Sequence, residues 1–427
     1  VKVHPCGHVA RLGPKLMCRH LMGEDGLSHD YVHLLTGRGM EYHLCCEDCD
    51  KARADGVEPE LLEACEGCVE RIDDPDNRAL VGWRGEPEIP RRPEPFDAVP
   101  FRTELPRRLR EPVDFAAVAG EDRPVWMVLT DDGRIMRFDA DTGDFAVLGR
   151  VRLPSETGRA WNGGELRRRL HVAPRGDFAA VVRDYGRHGA VVDLATGKTV
   201  MKLDGGDYRC DTVPFSLAFT EHEGRTVVVH RTDWNRVDAT DPATGELLTD
   251  RTLDKESSLD YFHGALHVSA DGRWIVDDGW VWAPVGIPYA WDLRAWLSGE
   301  PRVAEEGLTR LAYRDYHWDG PMAWAGDAFA IAGIGPDDIA LLDGVVLVHP
   351  GNGDDSPVNV FPGPRGALFG DARRLYSAGP DGLEVWDPFT GERTAAVPGF
   401  VPARHHPGAR ELAAVSGPVM ERLRLPA

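Results

Sequence analysis

A short tag recurs through the last three-quarters of the chain: Phe138-Asp139-Ala140-Asp141-Thr142-Gly143, Asp193-Leu194-Ala195-Thr196-Gly197, Asp241-Pro242-Ala243-Thr244-Gly245 and Trp386-Asp387-Pro388-Phe389-Thr390-Gly391. Longer connections carry variants at Trp291-Asp292 to Ser298-Gly299-Glu300 and at His349-Pro350-Gly351-Asn352-Gly353-Asp354. A second tag precedes it in several units, as Ala173-Pro174-Arg175-Gly176, Ser269-Ala270-Asp271-Gly272 and His406-Pro407-Gly408-Ala409. A repeat constrains a fold more than local propensity does, because each unit must bury its apolar face against the next. Asp-Gly and Thr-Gly steps supply the positive φ of tight hairpin turns. Between them lie alternating, β-branched segments such as Arg225-Thr226-Val227-Val228-Val229-His230, which read as strands. The unit is four strands joined by turns.

Four-strand units of roughly 40–50 residues with a Trp-Asp ending resemble the blades of WD-repeat β-propellers. The dipeptide itself stands only at Trp291-Asp292 and Trp386-Asp387. The resemblance runs from Val113 to the C-terminus and implies a mainly β, seven-bladed propeller over 113–427, with blades beginning near 113, 167, 213, 262, 318, 365 and 401. After Val419-Met420-Glu421-Arg422-Leu423-Arg424-Leu425 the last unit stops one strand early. An open ring would leave a bare sheet edge, which is prone to aggregation. A strand from upstream is therefore expected to complete it, with Ala79-Leu80-Val81-Gly82-Trp83 as first candidate and Ala98-Val99-Pro100-Phe101 as second.

Seven of the eight cysteines lie before residue 69, interleaved with six histidines. They form pairs at metal-ligand spacing: Cys6-Gly7-His8, Cys18-Arg19-His20, Cys46-Glu47-Asp48-Cys49 and Cys65-Glu66-Gly67-Cys68. Structural zinc takes four Cys or His ligands in a closed tetrahedron, so these eight residues suffice for two ions. A small α+β zinc-binding domain is expected over 1–78, followed by a Pro-rich linker over 79–112. If the pairs alternate, Cys6, His8, Cys46 and Cys49 share one ion, and Cys18, His20, Cys65 and Cys68 the other. That order resembles the cross-brace of RING-type domains. A single-zinc alternative has Cys45 or His43 replacing one ligand. Residues 59–72 place Leu61, Cys65, Cys68 and Ile72 on one helical face, and that pattern also fits ordinary core cysteines.

The formal net charge, 49 − 70 = −21, disfavours nucleic acid and anionic membrane surfaces as partners. Arg107, Arg108 and Arg110 read as solvated linker charge. No apolar run is long enough to cross a membrane as a helix. The opening Val1-Lys2-Val3-His4 lacks the apolar stretch of a secretory leader. The expected setting is cytoplasmic, and the Arg-over-Lys usage suggests a bacterial source. The propeller region has no nucleophile elbow, phosphate loop or dinucleotide fingerprint, so no catalytic or organic-cofactor residues are assigned. His171 and His267 recur at one repeat position, and His405-His406 opens the last unit; packing within a blade is their favoured role. Trp280, Trp282, Trp291, Trp296, Trp318 and Trp324 crowd two units, where inter-blade core is favoured over an aromatic recognition surface. Residues 294–300 read as a short rim helix. The expected function is a scaffold that binds a protein or peptide, with zinc in a structural role. A metal-dependent enzyme is the alternative, and a ubiquitin-ligase-like role is a weaker third reading.

Overall fold

The computed structural model describes residues 15–22, 31–35, 42–57, 59–64, 96, 98–254, 257–282, 284–335 and 341–426, plus the strand pair β1 (Lys2–Val3) and β2 (Val9–Ala10). For 2–3, 9–10, 15, 22, 31–35, 42–43 and 54 only the backbone is described. The recurring Asp-x-x-Thr-Gly tag has one local structure. The leading carboxylate accepts from the two backbone N–H groups at the tip: Asp139 from Asp141 and Thr142 (3.0 and 3.2 Å), Asp193 from Ala195 and Thr196 (2.8 and 3.1 Å), and Asp387 from Phe389 and Thr390 (2.9 and 3.2 Å). The threonine hydroxyl then accepts from the second residue after it, as Glu246 N–H to Thr244 at 3.2 Å. The glycine between takes positive φ, +81° at Gly143 and +72° at Gly391. Asp, Thr and Gly at these spacings thus hold a strand reversal with their own side chains.

Those turns join antiparallel strands into sheets. Among the described residues, seven sheets follow one another, beginning at Asp114, Arg167, Leu217, Phe262, Met322, Ala367 and Arg404. We number them 1 to 7. Each shares an apolar layer with the next. Ile135 packs with Val181 between sheets 1 and 2, Val191 with Val228 between 2 and 3, and Val229 with Ile275 between 3 and 4. Val276 and Ile331 meet between sheets 4 and 5, Leu347 and Trp386 between 5 and 6, and Val385 and Leu412 between 6 and 7. Finally Ala413 and Met420 pack with Trp126 and Phe138, joining sheet 7 to sheet 1. The sheets therefore close a ring. Hydrophobic burial between sheets is what holds it, at roughly 25 cal/mol per Å² of apolar surface.

The closing strand comes from upstream. β7 (Phe101–Glu104) pairs antiparallel with Val419–Arg424, Thr103 opposite Met420. It begins at the last residue of the second candidate segment, and Ala98 packs on the layer between sheets 6 and 7. The first candidate, 79–83, lies outside the described residues. At the inner seam, Asp114 accepts from the Leu170 N–H of sheet 2 at 2.8 Å and pairs with Arg404 of sheet 7.

Two sheets depart from four strands. Sheet 3 has three, and Thr249 Oγ1 takes the N–H of Ala239 (3.0 Å) where a fourth strand would bond. The outer edge of sheet 4 is split into Thr309–Arg310 and Arg314–Asp315. Helix α2 (Leu293–Leu297) is inserted there as the rim helix, capped by Asp292, which accepts from the Ala295 N–H at 2.8 Å.

Upstream, β3 (Lys15–Cys18), β4 (Tyr31–Leu35), β5 (Tyr42–Cys46) and β6 (Leu61–Ala64) form a second small sheet in the order β4-β5-β3-β6, with helix α1 (Glu47–Ala54) after β5. The helical reading of 59–72 is corrected over 61–64; residues 65–72 lie outside the described residues. Residues 61–64 pair with 15–18 as a strand, Leu61 opposite Cys18, so sheet pairing overrides the helical spacing. No helix among the described residues is long and apolar enough to cross a membrane.

Candidate metal centre and aromatic surface

β3 and β5 run parallel, Met17 opposite Leu44. Both strands therefore end on the same side, one at Cys18 and the other at Cys46. Past Cys18 the chain enters a 3-10 turn, Arg19–Met22, that carries His20. Past Cys46 it enters α1, whose first turn carries Cys49. The two pairs thus converge, and the ligand atoms of Cys18, His20, Cys46 and Cys49 all lie within 4.8 Å of one another. His20 Nδ1 is 3.1 Å from Cys49 Sγ and 3.6 Å from Cys46 Sγ. A tetrahedral zinc with bonds of about 2.0–2.3 Å sets its ligand atoms roughly 3.5–3.8 Å apart, within the spread seen here.

The surroundings suit thiolates held by a cation. Burial works against ionised Cys18, but the N–H groups of Cys46, Leu21 and His20 outweigh it and hold this thiol below its ordinary pKa. The Cys46 N–H donates to Cys18 Sγ at 3.3 Å. Cys46 and Cys49 sit at the N-terminal end of α1, where the helix dipole favours negative charge. Burial and the neighbouring thiols push Cys49 up to about 12. The adjacent Cys45, fully buried, is pushed up to about 11 by burial and by Cys18 and Cys46. Thiols this crowded repel one another as anions, and a divalent cation among them removes that repulsion.

Alternation would have set Cys46 and Cys49 beside Cys6 and His8. Their neighbours here are instead Cys18 and His20, because parallel pairing of β3 and β5 brings those two strand ends together. Cys6, His8, Cys65 and Cys68 lie outside the described residues, as does the His43 side chain. Among the described residues this is the one group of three or more Cys, His, Asp or Glu so placed.

The repeat histidines contact different neighbours. His267 stacks edge-on against Phe329 (5.5 Å), His406 accepts the Ala409 N–H at 3.1 Å while lying against Trp126, and His171 and His405 are held neutral by burial.

At the end of the ring where the connections between sheets run, five rings stack in series. Trp161 lies on Trp318 (4.7 Å), Trp318 on Trp280 (5.0 Å), Trp280 on Phe262 (4.2 Å) and Phe262 on Tyr208 (5.7 Å), with interplanar angles of 8–29°. The middle three are buried, whereas Trp161 is 48% and Tyr208 49% exposed. Trp282, 47% exposed, stands edge-on to Trp280. One threonine anchors the floor: Thr212 Oγ1 accepts from Trp280 Nε1 (3.1 Å) and its carbonyl from Trp318 Nε1 (2.9 Å). Tyr185 of sheet 2 donates to Asp319, which follows Trp318, and ties this floor across the ring.

Of the Trp residues expected as core, Trp291 and Trp296 are fully buried between sheets 3 and 4. Trp280 and Trp318 are buried too, but as the floor of this surface. Trp161, Tyr208 and Phe262 escaped the sequence reading because they stand far apart in the chain; their shared position, in or beside a connection between repeat units, is the signal that could have found them. At the opposite end, a cavity of about 970 Å³ is lined by turns of sheets 4 to 7, including Trp274, Trp324, Asp371 and Arg410.

No protein-family profile matches the sequence, and no curated protein matches it. Among solved structures, the chain is similar to the crystal structure of RRP9 WD40 repeats, with a TM-score of 0.51 and 12% identity over 80% of this chain and 100% of that one. A structure of U3-55K gives 0.49 and 11% over 76% and 98%. The crystal structure of a mitotic checkpoint complex gives 0.49 and 13% over 81% and 98%. At such identities the likeness is one of fold. The RRP9 match carries it, and the fold is a mainly β, WD-repeat-like propeller.

Proposed function

We propose that this chain is a protein-interaction scaffold: a seven-bladed propeller over 113–427, tethered through 79–112 to an α+β module over 1–78 that zinc stabilises. The exposed aromatic surface carries this reading. Trp and Tyr dominate the energetics of protein interfaces when rigidly held and partly open to solvent. Trp161, Tyr208 and Trp282 meet both conditions, on a floor fixed by stacking and by Thr212. Such a surface is organised before its partner arrives, which lowers the entropic cost of binding.

Zinc fits Cys18, His20, Cys46 and Cys49, and when bound it supplies folding energy to a module too small for a large core. Four protein donors fill a tetrahedron, which favours structural over catalytic zinc and the scaffold over the enzyme. Cys6, His8, Cys65 and Cys68 form the remaining donor set, for a second ion. Native mass spectrometry tests this part: Cys46→Ser should remove one zinc per chain, and unchanged metal content would remove this assignment.

The interaction reading is tested with a photo-crosslinking amino acid placed at 161 and, as a control, at Phe389, which is 51% exposed in the turn that closes the sheet 6 tag. In cells, adducts to one partner should form from 161, and should disappear when Trp282→Ala is added. Equal, unselective adducts from both positions would refute it.

A further inference from the structure

We propose that the aromatic surface recognises a basic segment of its partner, taking arginine or lysine side chains onto the open faces of Trp161 and Tyr208. This rests on the interaction reading above and adds the chemistry of the partner.

Three observations carry it. First, each terminal ring of the stack has one face covered by its neighbour and remains about half exposed. An aromatic face is the negative side of the ring quadrupole, and it attracts cations. Second, carboxylates flank the ring-bearing residues in the sequence. Asp207 adjoins Tyr208, Asp233 adjoins Trp234, Asp260 lies two residues before Phe262, and Asp315 lies three before Trp318. Asp211 is tied in through its carbonyl, which accepts the Trp161 N–H at 3.0 Å. Asp211, Asp260 and Asp315 have no ion-pair partner among the described residues. Arg187 lies 3.8 Å from Asp207, and the exposed Arg159 and Arg209 also stand against these acids, within a chain of net charge −21.

Third, the protein already makes one contact of the proposed kind. The Arg209 guanidinium lies 5.3 Å from the centroid of Trp282. Arg209 has φ +52°, a left-handed conformation, and its carbonyl accepts from the Thr212 hydroxyl at 2.7 Å. The backbone that anchors the floor therefore also presents this guanidinium to the third exposed ring. Among the described residues, Trp161 and Tyr208 have no such internal cation. An acidic partner would meet a chain of net charge −21 and lose the ring-face attraction; a basic one gains from both.

The test uses the full chain and three fluorescein-labelled eight-residue peptides: alternating Gly-Arg, its Gly-citrulline counterpart and Gly-Glu. Fluorescence anisotropy reads binding at several salt concentrations. The arginine peptide should bind saturably, at least about tenfold more tightly than the citrulline peptide, and more weakly as salt rises. Trp161→Ala combined with Tyr208→Ala should weaken it about tenfold, whereas Phe389→Ala should leave it unchanged. Arg209→Ala should strengthen it, because the change uncovers Trp282 and removes a positive charge. Near-UV circular dichroism of each variant checks that the buried rings keep their packing.

Arginine-peptide binding that ignores Trp161, Tyr208 and Arg209 would be general attraction to an acidic protein and would overturn the proposal. Tighter binding of the citrulline or glutamate peptide would overturn the cation preference while leaving an interaction surface in place. Binding of none of the three, with no selective crosslinks from position 161, would remove both readings.

Discussion

Arg422 grips Glu411 with two hydrogen bonds of 2.8 Å, Nε to Oε1 and Nη2 to Oε2. The same guanidinium reaches Thr103 Oγ1 of β7 (3.2 Å), the Ala140 carbonyl (2.8 Å) and Asp141 Oδ1 (2.7 Å) at the tip of sheet 1. One buried side chain thus joins the last sheet, its borrowed strand and the first sheet. Arg422→Ala would leave the Glu411 carboxylate, 1% exposed, without its hydrogen-bonded partner and with only the more distant Arg424 at 3.9 Å. Loss of one member of a buried pair costs about 3–5 kcal/mol. Urea denaturation should show that loss, and Arg422→Met with Glu411→Leu should recover part of it. A change below about 1 kcal/mol in the single variant would mean that the closure is held by apolar packing alone.

Trp386, fully buried between sheets 5 and 6, donates its Nε1–H to Ser377 Oγ at 2.9 Å. Ser377→Ala leaves the indole donor without an acceptor, at a cost of about 1–3 kcal/mol. Ser377→Thr keeps the hydroxyl and should stay closer to the parent stability. Thermal unfolding of the two variants side by side measures the difference.

Burial, with the charges of Arg169 and Arg404, pushes His171 down to about 3. Burial likewise takes His267 and His405 to about 4. A histidine depressed in the folded state adds stability above its unfolded value of about 6.5, and that stability is lost as pH falls below it. Unfolding should therefore take up protons at these three sites between pH 6.5 and about 4. Chemical denaturation across this window should show falling stability, with a shallower slope in His267→Phe. Equal slopes would mean that His267 titrates normally.

Gly286 of sheet 4 sits against the backbone of the loop that carries Trp318. A Cβ there would lie 1.8 Å from the His317 carbonyl oxygen. Gly286→Ala must push that loop away, at a cost of about 1–3 kcal/mol. Because Trp318 links Trp161 to Trp280, the stack should part as well. Near-UV circular dichroism should lose part of its tryptophan signal in this variant before global unfolding begins.

The contrast between the Asp-x-x-Thr-Gly turns and the cysteine pairs shows how far the primary structure could be read. The turns were legible because donor and acceptor lie two or three residues apart, as between Asp193 and Ala195 or Thr196. The cysteine pairs were legible as pairs. Which two meet depends on β3 lying parallel to β5, a pairing that sets His20 beside Cys46 from 26 residues away. The strand at 61–64 was misread as helix for the same reason: its partner, β3, is far upstream.

By itself, the sequence determined the repeat, its turn chemistry, the Cys and His pairs at metal-ligand spacing and the need for a strand from upstream. All of these follow from interactions within a few residues or from counting units. Tertiary structure alone decided that Thr103 would meet Arg422, 319 residues away, and that Cys18 and His20 would join Cys46 and Cys49. It alone decided that Trp161, Tyr208 and Trp318, from three separate connections, would stack in line with Phe262 and Trp280, which face each other across sheet 4. Closing a ring brings distant connections to one end, and no local pattern records which side chains will then face each other.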